Sequence, residues 1–248
     1  TQEFKDYWYN GTAEITSYSL QQARYGEIRE GNAVMIFVTE PFLPGLQVKA
    51  DTNDSNNIPV LKLNATKNYI TGIYPYSIMT SSFYPVYDNQ HALKVSFSSQ
   101  EWCGHVYAQL NNRDYHLGKA NLENEIWNKI RINPANLPIG ELTMIPSLEF
   151  IRLTHKELKA YEAITTLTKA DDINTYEITY PDLERTLKIN FRSEFPYTIE
   201  SWMDTYKDGF GEKAKVLTST ATIINRITTP YWKQNSNKDL SLRDSLGL

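Results

Sequence analysis

The one cysteine of the chain, Cys103, stands two residues after a glutamate and two before a histidine in "QEWCGHVYAQL", Gln100–Leu110. A carboxylate, a thiol and an imidazole are parts of a nucleophilic centre. Read as one β-strand, the stretch puts Glu101, Cys103, His105, Tyr107 and Gln109 on one face, because side chains alternate. Same-face neighbours then lie about 6.6 Å apart, so suitable rotamers bring Cys103 toward His105, while Glu101 reaches only the thiol. Covalent catalysis also needs a lowered thiol pKa, an orienting group behind the base and oxyanion donors. The stretch hints at only the first two. A lone cysteine is more often a small buried hydrophobe, so the expectation is a packed Cys103. A hydrolase or transferase built on Cys103, His105 and Glu101 is the alternative.

Other chemistry is thinly represented. The four histidines, His91, His105, His116 and His155, form no HExxH or His-x-His pattern, and no acidic calcium loop is present. A hairpin turning at Asn111–Asp114 sets His116 at best diagonal to His105. No metal site is expected. GxxxxGK[ST], GxGxxG and GxSxG are also missing, so no cofactor is expected either. The paired carboxylates Asp171-Asp172 sit in "KADDINTY", which reads as a solvated turn before a strand.

The binding candidate is aromatic. The chain has 17 tyrosines, and Tyr69, Tyr74, Tyr76, Phe83, Tyr84 and Tyr87 crowd into "NYITGIYPYSIMTSSFYPVYD". Pro75 and Pro85 assign this segment to edges, bulges or loops, where rings are half exposed. Such a ledge grips a sugar, an apolar chain or a partner protein; otherwise the rings close the end of a β core. "FKDYWYNGTAEI" raises the same choice for Tyr7, Trp8 and Tyr9, with a turn at Asn10-Gly11.

The elements that position these residues read as strands. "AEITSYSL" alternates, with Glu14, Thr16, Tyr18 and Leu20 on one face, and "NAVMIFVTE" is a continuous apolar run of the kind covered on both faces. "VLKLNA", "LKVSF", "TYEITY", "TLKINF", "YTIESWM" and "VLTSTATII" alternate more cleanly. "DTNDSNN", "NNRD", "YPDLE" and "KDGFGEK" supply turn chemistry between runs. Two stretches have helical spacing. "NLENEIWNKI" sets Leu122, Ile126 and Ile130 four apart, with Asn121 as N-cap and Pro134 beyond the end. "PSLEFIRLTHKELKAYEA" supports one or two turns, with Pro146 in the first.

The expected fold is therefore mainly β: an antiparallel curved sheet or open half barrel with one or two short helices between Ala120 and Ala160. Residues 1–248 are read as one β-rich domain plugged by the helical segment. The alternative is two β-rich halves, 1–119 and 141–248, joined by it. The polar end, "KQNSNKDLSLRDSLGL", is expected on the surface. With 25 Lys and Arg against 29 Asp and Glu, and the basic residues scattered, nucleic acid is not an expected partner. One cysteine rules out an internal disulfide. No run approaches the roughly 18 apolar residues of a membrane helix.

"WYNGTAEITSYSLQQARYGEIREGNAVMIFVTE", "IPVLKLNATKNYITGIYPYSIMTS", "QEWCGH" and "LRDSLGL" together resemble a family of Bacteroidetes cell-envelope lipoproteins of unknown function. Some members carry the label "septum formation inhibitor Maf". The resemblance implies the cell envelope, periplasmic or anchored to the outer membrane, with a leader and a lipid-attachment cysteine preceding Thr1. The label implies an α/β nucleotide pyrophosphatase with a Ser-x-x-Arg-Arg signature, but this chain has no adjacent arginines and reads as β. No activity or catalytic residue is carried over. The resulting expectation is a non-catalytic envelope protein that binds an apolar or glycan ligand or a partner protein, with a purely structural component as a further alternative.

Overall fold

The computed structural model describes residues 1–52, 54–87, 91–111 and 120–248. Among these the chain is mainly β. Strands β1 (Ala13–Arg24), β2 (Glu27–Leu43), β3 (Val48–Lys49), β4 (Ile58–Thr71), β5 (Tyr74–Pro85), β6 (Lys94–Glu101) and β7 (Gly104–Asn111) come first. They are followed by β8 (Asn121–Leu122), β9 (Gly140–Ile145), β10 (Tyr161–Thr168), β11 (Ile173–Tyr180), β12 (Arg185–Arg192), β13 (Ile199–Asp208) and β14 (Lys215–Thr229). The helices are α1 (Gln2–Trp8), α2 (Glu123–Ile132), α3 (Leu148–Thr154) and α4 (Ser241–Ser245).

All the strands belong to one curved, unclosed sheet in the order β7-β6-β5-β4-β2-β1-β14-β13-β12-β11-β10-β9-β8, with β3 pairing only to β2. Neighbours are antiparallel except β8 and β9. The first strand of the chain pairs with the last, Ala13 opposite Thr229, so the N-terminal and C-terminal halves share one wall. Alternation along β1 turns Glu14, Thr16, Tyr18 and Leu20 to the inner face, where Tyr18 meets Trp202. The outer face of β1 is covered as well: the Ser17 hydroxyl donates to the Leu246 carbonyl. The tail therefore lies on the surface and also buries Leu246.

Helix α2 sits in the hollow of the sheet. Acidic Glu123 and Glu125 in its first turn and basic Lys129 and Arg131 in its last complement the helix dipole. The helix stops at Ile132 because Pro134 holds the following Asn133 extended. Eight of its ten residues are buried, including Glu123, Glu125, Lys129 and Arg131, so each charge needs a partner inside the protein. Arg131 grips Glu14 of β1 with both terminal nitrogens, at 2.6 and 2.7 Å. Glu123 takes Arg185 of β12, and Asn128 donates to the Leu61 carbonyl of β4. Strands from both halves thus hold the same helix.

Several expectations need correction. Gln100–Leu110 is two strands, not one: β6 and β7 meet at a two-residue turn, Trp102-Cys103, with Glu101 opposite Gly104. The N-cap of α2 is Leu122, with no side-chain cap, and Asn121 lies in β8. Helix α3 begins at Leu148, so Pro146 precedes it instead of standing in its first turn; Ser147 caps it, its hydroxyl accepting from the Phe150 N–H. Strand β5 is an interior strand; Pro75 and Pro85 sit at its two ends, where a ladder bond is easily spared. The opening residues form α1, because Phe4 and Trp8, four apart, bury one helical face. Asn111 ends β7, and the rest of the turn expected at Asn111–Asp114, with His116, lies in 112–119, outside the described residues.

The Glu14–Arg131 pair makes a stability prediction. Burial alone raises the Glu14 carboxyl pKa, but the charge and hydrogen bonds of Arg131, with Tyr7 donating, bring it below the ordinary value. Its stabilisation is thus full above the unfolded-state pKa and lost as pH falls through the lower native one. At neutral pH, Arg131→Ala leaves a buried carboxylate unpaired and costs about 3–5 kcal/mol in urea unfolding. Arg192→Ala, which breaks the half-exposed pair with Glu200, costs less than about 1 kcal/mol. Equal losses for the two variants, or an Arg131→Ala penalty that persists undiminished at low pH, would contradict this reading.

Candidate functional site

The cysteine cluster is not a site of activated chemistry. Cys103 is exposed at the tip of the β6–β7 turn, which corrects the expectation of a packed thiol: a two-residue turn has no interior side. The Cys103 N–H donates to Glu101 Oε2 at 2.6 Å. A hydrogen bond donated by the thiol to the Glu101 carboxylate, together with that group's charge, raises the thiol pKa, the reverse of what a nucleophile needs. His105 is the second residue of β7, opposite Gln100 and exposed.

The six aromatic residues do not form one ledge. Tyr69 and Tyr76 face each other in register across β4 and β5 and stack with centroids 5.0 Å apart and 7° between planes, buried on the inner face. Tyr74, half-buried, bridges Tyr76 and Trp102. Alternation sends Phe83 to the outer face, where it packs on Phe42 in a separate small cluster with Val60 and Leu93. Tyr84 is buried inside, with the Lys129 ammonium 5.5 Å from its ring centroid. Only Tyr87 is well exposed. Four of the six rings are therefore core, and the half-exposed platform is not formed.

What the structure does build lies between α2, α3 and the inner face of the sheet. Arg185, fully buried, is held by Glu123 at 2.6 and 2.8 Å and by Asp204 at 2.8 and 2.9 Å. The Tyr180 hydroxyl also donates to Glu123, and the Phe150 ring centroid lies 4.1 Å from the guanidinium carbon. Burial raises the Asp204 carboxyl pKa despite the arginine beside it. Lys67 of β4 pairs with Glu149 of α3 at 2.8 Å, and Trp127 meets Trp202 edge-on at 5.5 Å. All of these groups except Tyr180 line a cavity of about 70 Å³, roomy enough to hold water. Gln22 Oε1 and Ser82 Oγ, on its wall, have no hydrogen-bond partner among the described residues.

Helix α3 covers this cavity and has space on its other sides. One cleft of about 250 Å³ lies between Phe150 and Leu153 of α3, Tyr206 of β13, and Leu183 and Phe210 of the β11–β12 and β13–β14 connections. Another, of about 360 Å³, lies between Leu148 and Ile151 of α3 and Phe97, Val106 and Ala108 of β6 and β7. Few bonds hold the seven-residue helix: Asn124 Oδ1 accepts its first N–H, Lys67 pairs with Glu149, and Arg24 donates to the Leu153 carbonyl.

The register places the β1–β2, β4–β5, β6–β7 and β13–β14 turns at the end of the sheet where α3 finishes. These turns expose Ile73 at 82%, Trp102 at 68% and Phe210 at 59%, so a mouth with apolar tips borders the helix. Gly26 ties two of the turns together. Its N–H donates to Asp208 at 2.6 Å, and at φ +75 it lies so close to the Lys213 carbonyl that a Cβ would sit 2.3 Å from that oxygen.

Sequence reasoning missed this site because its charged members sit singly in separate strands and helices. The one signal was a helical segment, 123–131, with too many ionisable residues for its burial. Among the described residues no cluster of three or more metal-ligating side chains occurs, and no helix is long and apolar enough to cross a membrane. No protein-family model and no curated protein sequence matches the chain.

Alkylation checks the reading of Cys103. At pH 8 iodoacetamide reacts with it more slowly than with a free thiol, and Glu101→Gln accelerates the reaction. Alkylation faster than that of free cysteine at neutral pH would restore Cys103 as a nucleophile.

Proposed function

We propose that the protein is a non-catalytic binding protein of the bacterial cell envelope that takes an amphiphile, an apolar chain carrying a polar head, beneath α3. The observation that supports this reading is a short helix with clefts on three sides, set between a charged floor and an apolar mouth. The larger cleft, about 360 Å³, reaches the roughly 300–1,000 Å³ range of small-molecule pockets, and its walls are mostly apolar, with Arg152, His155 and Lys156 among them. Displacing α3 joins it to the space on the other sides of the helix. A glycan fits less well, because the rings that would stack on sugar faces are buried. The envelope setting is supported by the resemblance over Trp8–Glu40 and Ile58–Ser81.

Calorimetric titration with dodecanol and with laurate tests the reading. Saturable one-to-one binding with a negative heat-capacity change is expected, since apolar surface is buried. Ala108→Trp fills the larger cleft and weakens both chains at least tenfold while leaving the circular dichroism unchanged. Absence of saturable binding for both chains would remove the proposal.

A further inference from the structure

Resting on that reading, we infer that the amphiphile's head is anionic and that Arg24 receives it in place of the Leu153 carbonyl. Arg24 is 4% exposed, yet its partners are neutral. Nη1 donates to the Leu153 carbonyl at 2.9 Å, and Nη2 donates to the hydroxyls of Tyr25 and Tyr76, each at 3.1 Å. Its Nε has no hydrogen-bond partner among the described residues, and the guanidinium carbon lies 4.0 Å from the Tyr25 ring centroid. The other two deeply buried arginines, Arg131 and Arg185, are each met by carboxylates; Arg24 has no ion pair among the described residues.

A buried guanidinium is best compensated by a carboxylate or phosphate meeting its planar fork with two oxygens. A single carbonyl at the end of α3 offers only a partial negative charge. Position favours exchange. Arg24 is the last residue of β1, beside the turns that rim the mouth, and the group it holds belongs to the helix that must move. Glu149 and Leu153, four apart on α3, engage Lys67 and Arg24 respectively, so lifting the helix releases both cations at once. Arg185 stays neutralised, because Glu123 and Asp204 belong to α2 and β13. Lys67 stays on the sheet and loses its partner, while Glu149 leaves with α3. The uncovered floor is thus more positive than the closed one. This favours an anionic head over a cationic one; a phospholipid or a free fatty acid would satisfy the same chemistry.

The test compares laurate, dodecanol and dodecyltrimethylammonium on the full chain. The wild-type protein is expected to bind laurate at least tenfold more tightly than dodecanol, and dodecyltrimethylammonium more weakly than either. Arg24→Gln is expected to abolish the laurate advantage, so that laurate and dodecanol bind equally, Arg24→Lys to retain part of the advantage, and Glu149→Gln to tighten dodecanol by loosening the helix. Dodecanol binding with no laurate preference in the wild type would overturn the anionic assignment while leaving the amphiphile reading intact, and needs no variant to fold. A laurate preference that survives Arg24→Gln would overturn the role of Arg24. Failure of all three chains to bind would remove the underlying reading itself.

Discussion

Charge buried against charge is the constraint on which the architecture depends. An ionised group withdrawn from water is tolerated only with a well-placed partner, and α2 brings several into the hollow of the sheet. Arg131 must find Glu14 on β1, and Glu123 must find Arg185 on β12, which Asp204 of β13 steadies from the other side. These requirements fix the position of the helix along and across the sheet more tightly than apolar packing alone would. They also tie together strands that enter the chain more than a hundred residues apart.

Against that fixed element, α3 is held differently. Its apolar face is buried through Leu148, Phe150 and Leu153, but its polar attachments are a partly exposed ion pair, one bond from Arg24 and one from Asn124. Clefts lie beside it and a small polar cavity lies beneath it. The same fold therefore combines a helix whose removal would strand charges in the core with one whose displacement would uncover a floor bearing Lys67 and Arg24. That difference is the physical basis for reading the hollow as a binding site with a movable cover.

Much of the fold was legible from residue order. The alternation of "TYEITY" and "TLKINF" became β11 and β12, and four-residue spacing at Leu122, Ile126 and Ile130 marked α2. The Trp102-Cys103 turn was hidden because its flanks continue the alternation on both sides, leaving only Gly104 as a signal. The aromatic segment misled because tyrosine has strong β propensity: in-register pairing of Tyr69 with Tyr76 placed rings in the core that composition alone suggested were exposed. The site itself was illegible for a different reason. Arg24, Lys67, Glu149, Arg185 and Asp204 acquire meaning only when the sheet curves and brings four separate strands around α3.

The central claim is that α2 is fixed and α3 is a cover. Native-state hydrogen exchange of the full chain tests it most directly. The account predicts that the α3 amides exchange through a local opening far less costly than global unfolding, that α2 amides exchange only with the whole molecule, and that saturating laurate changes protection in α3 and leaves α2 unaltered. Equal protection of the two helices, with no response to laurate, would contradict it.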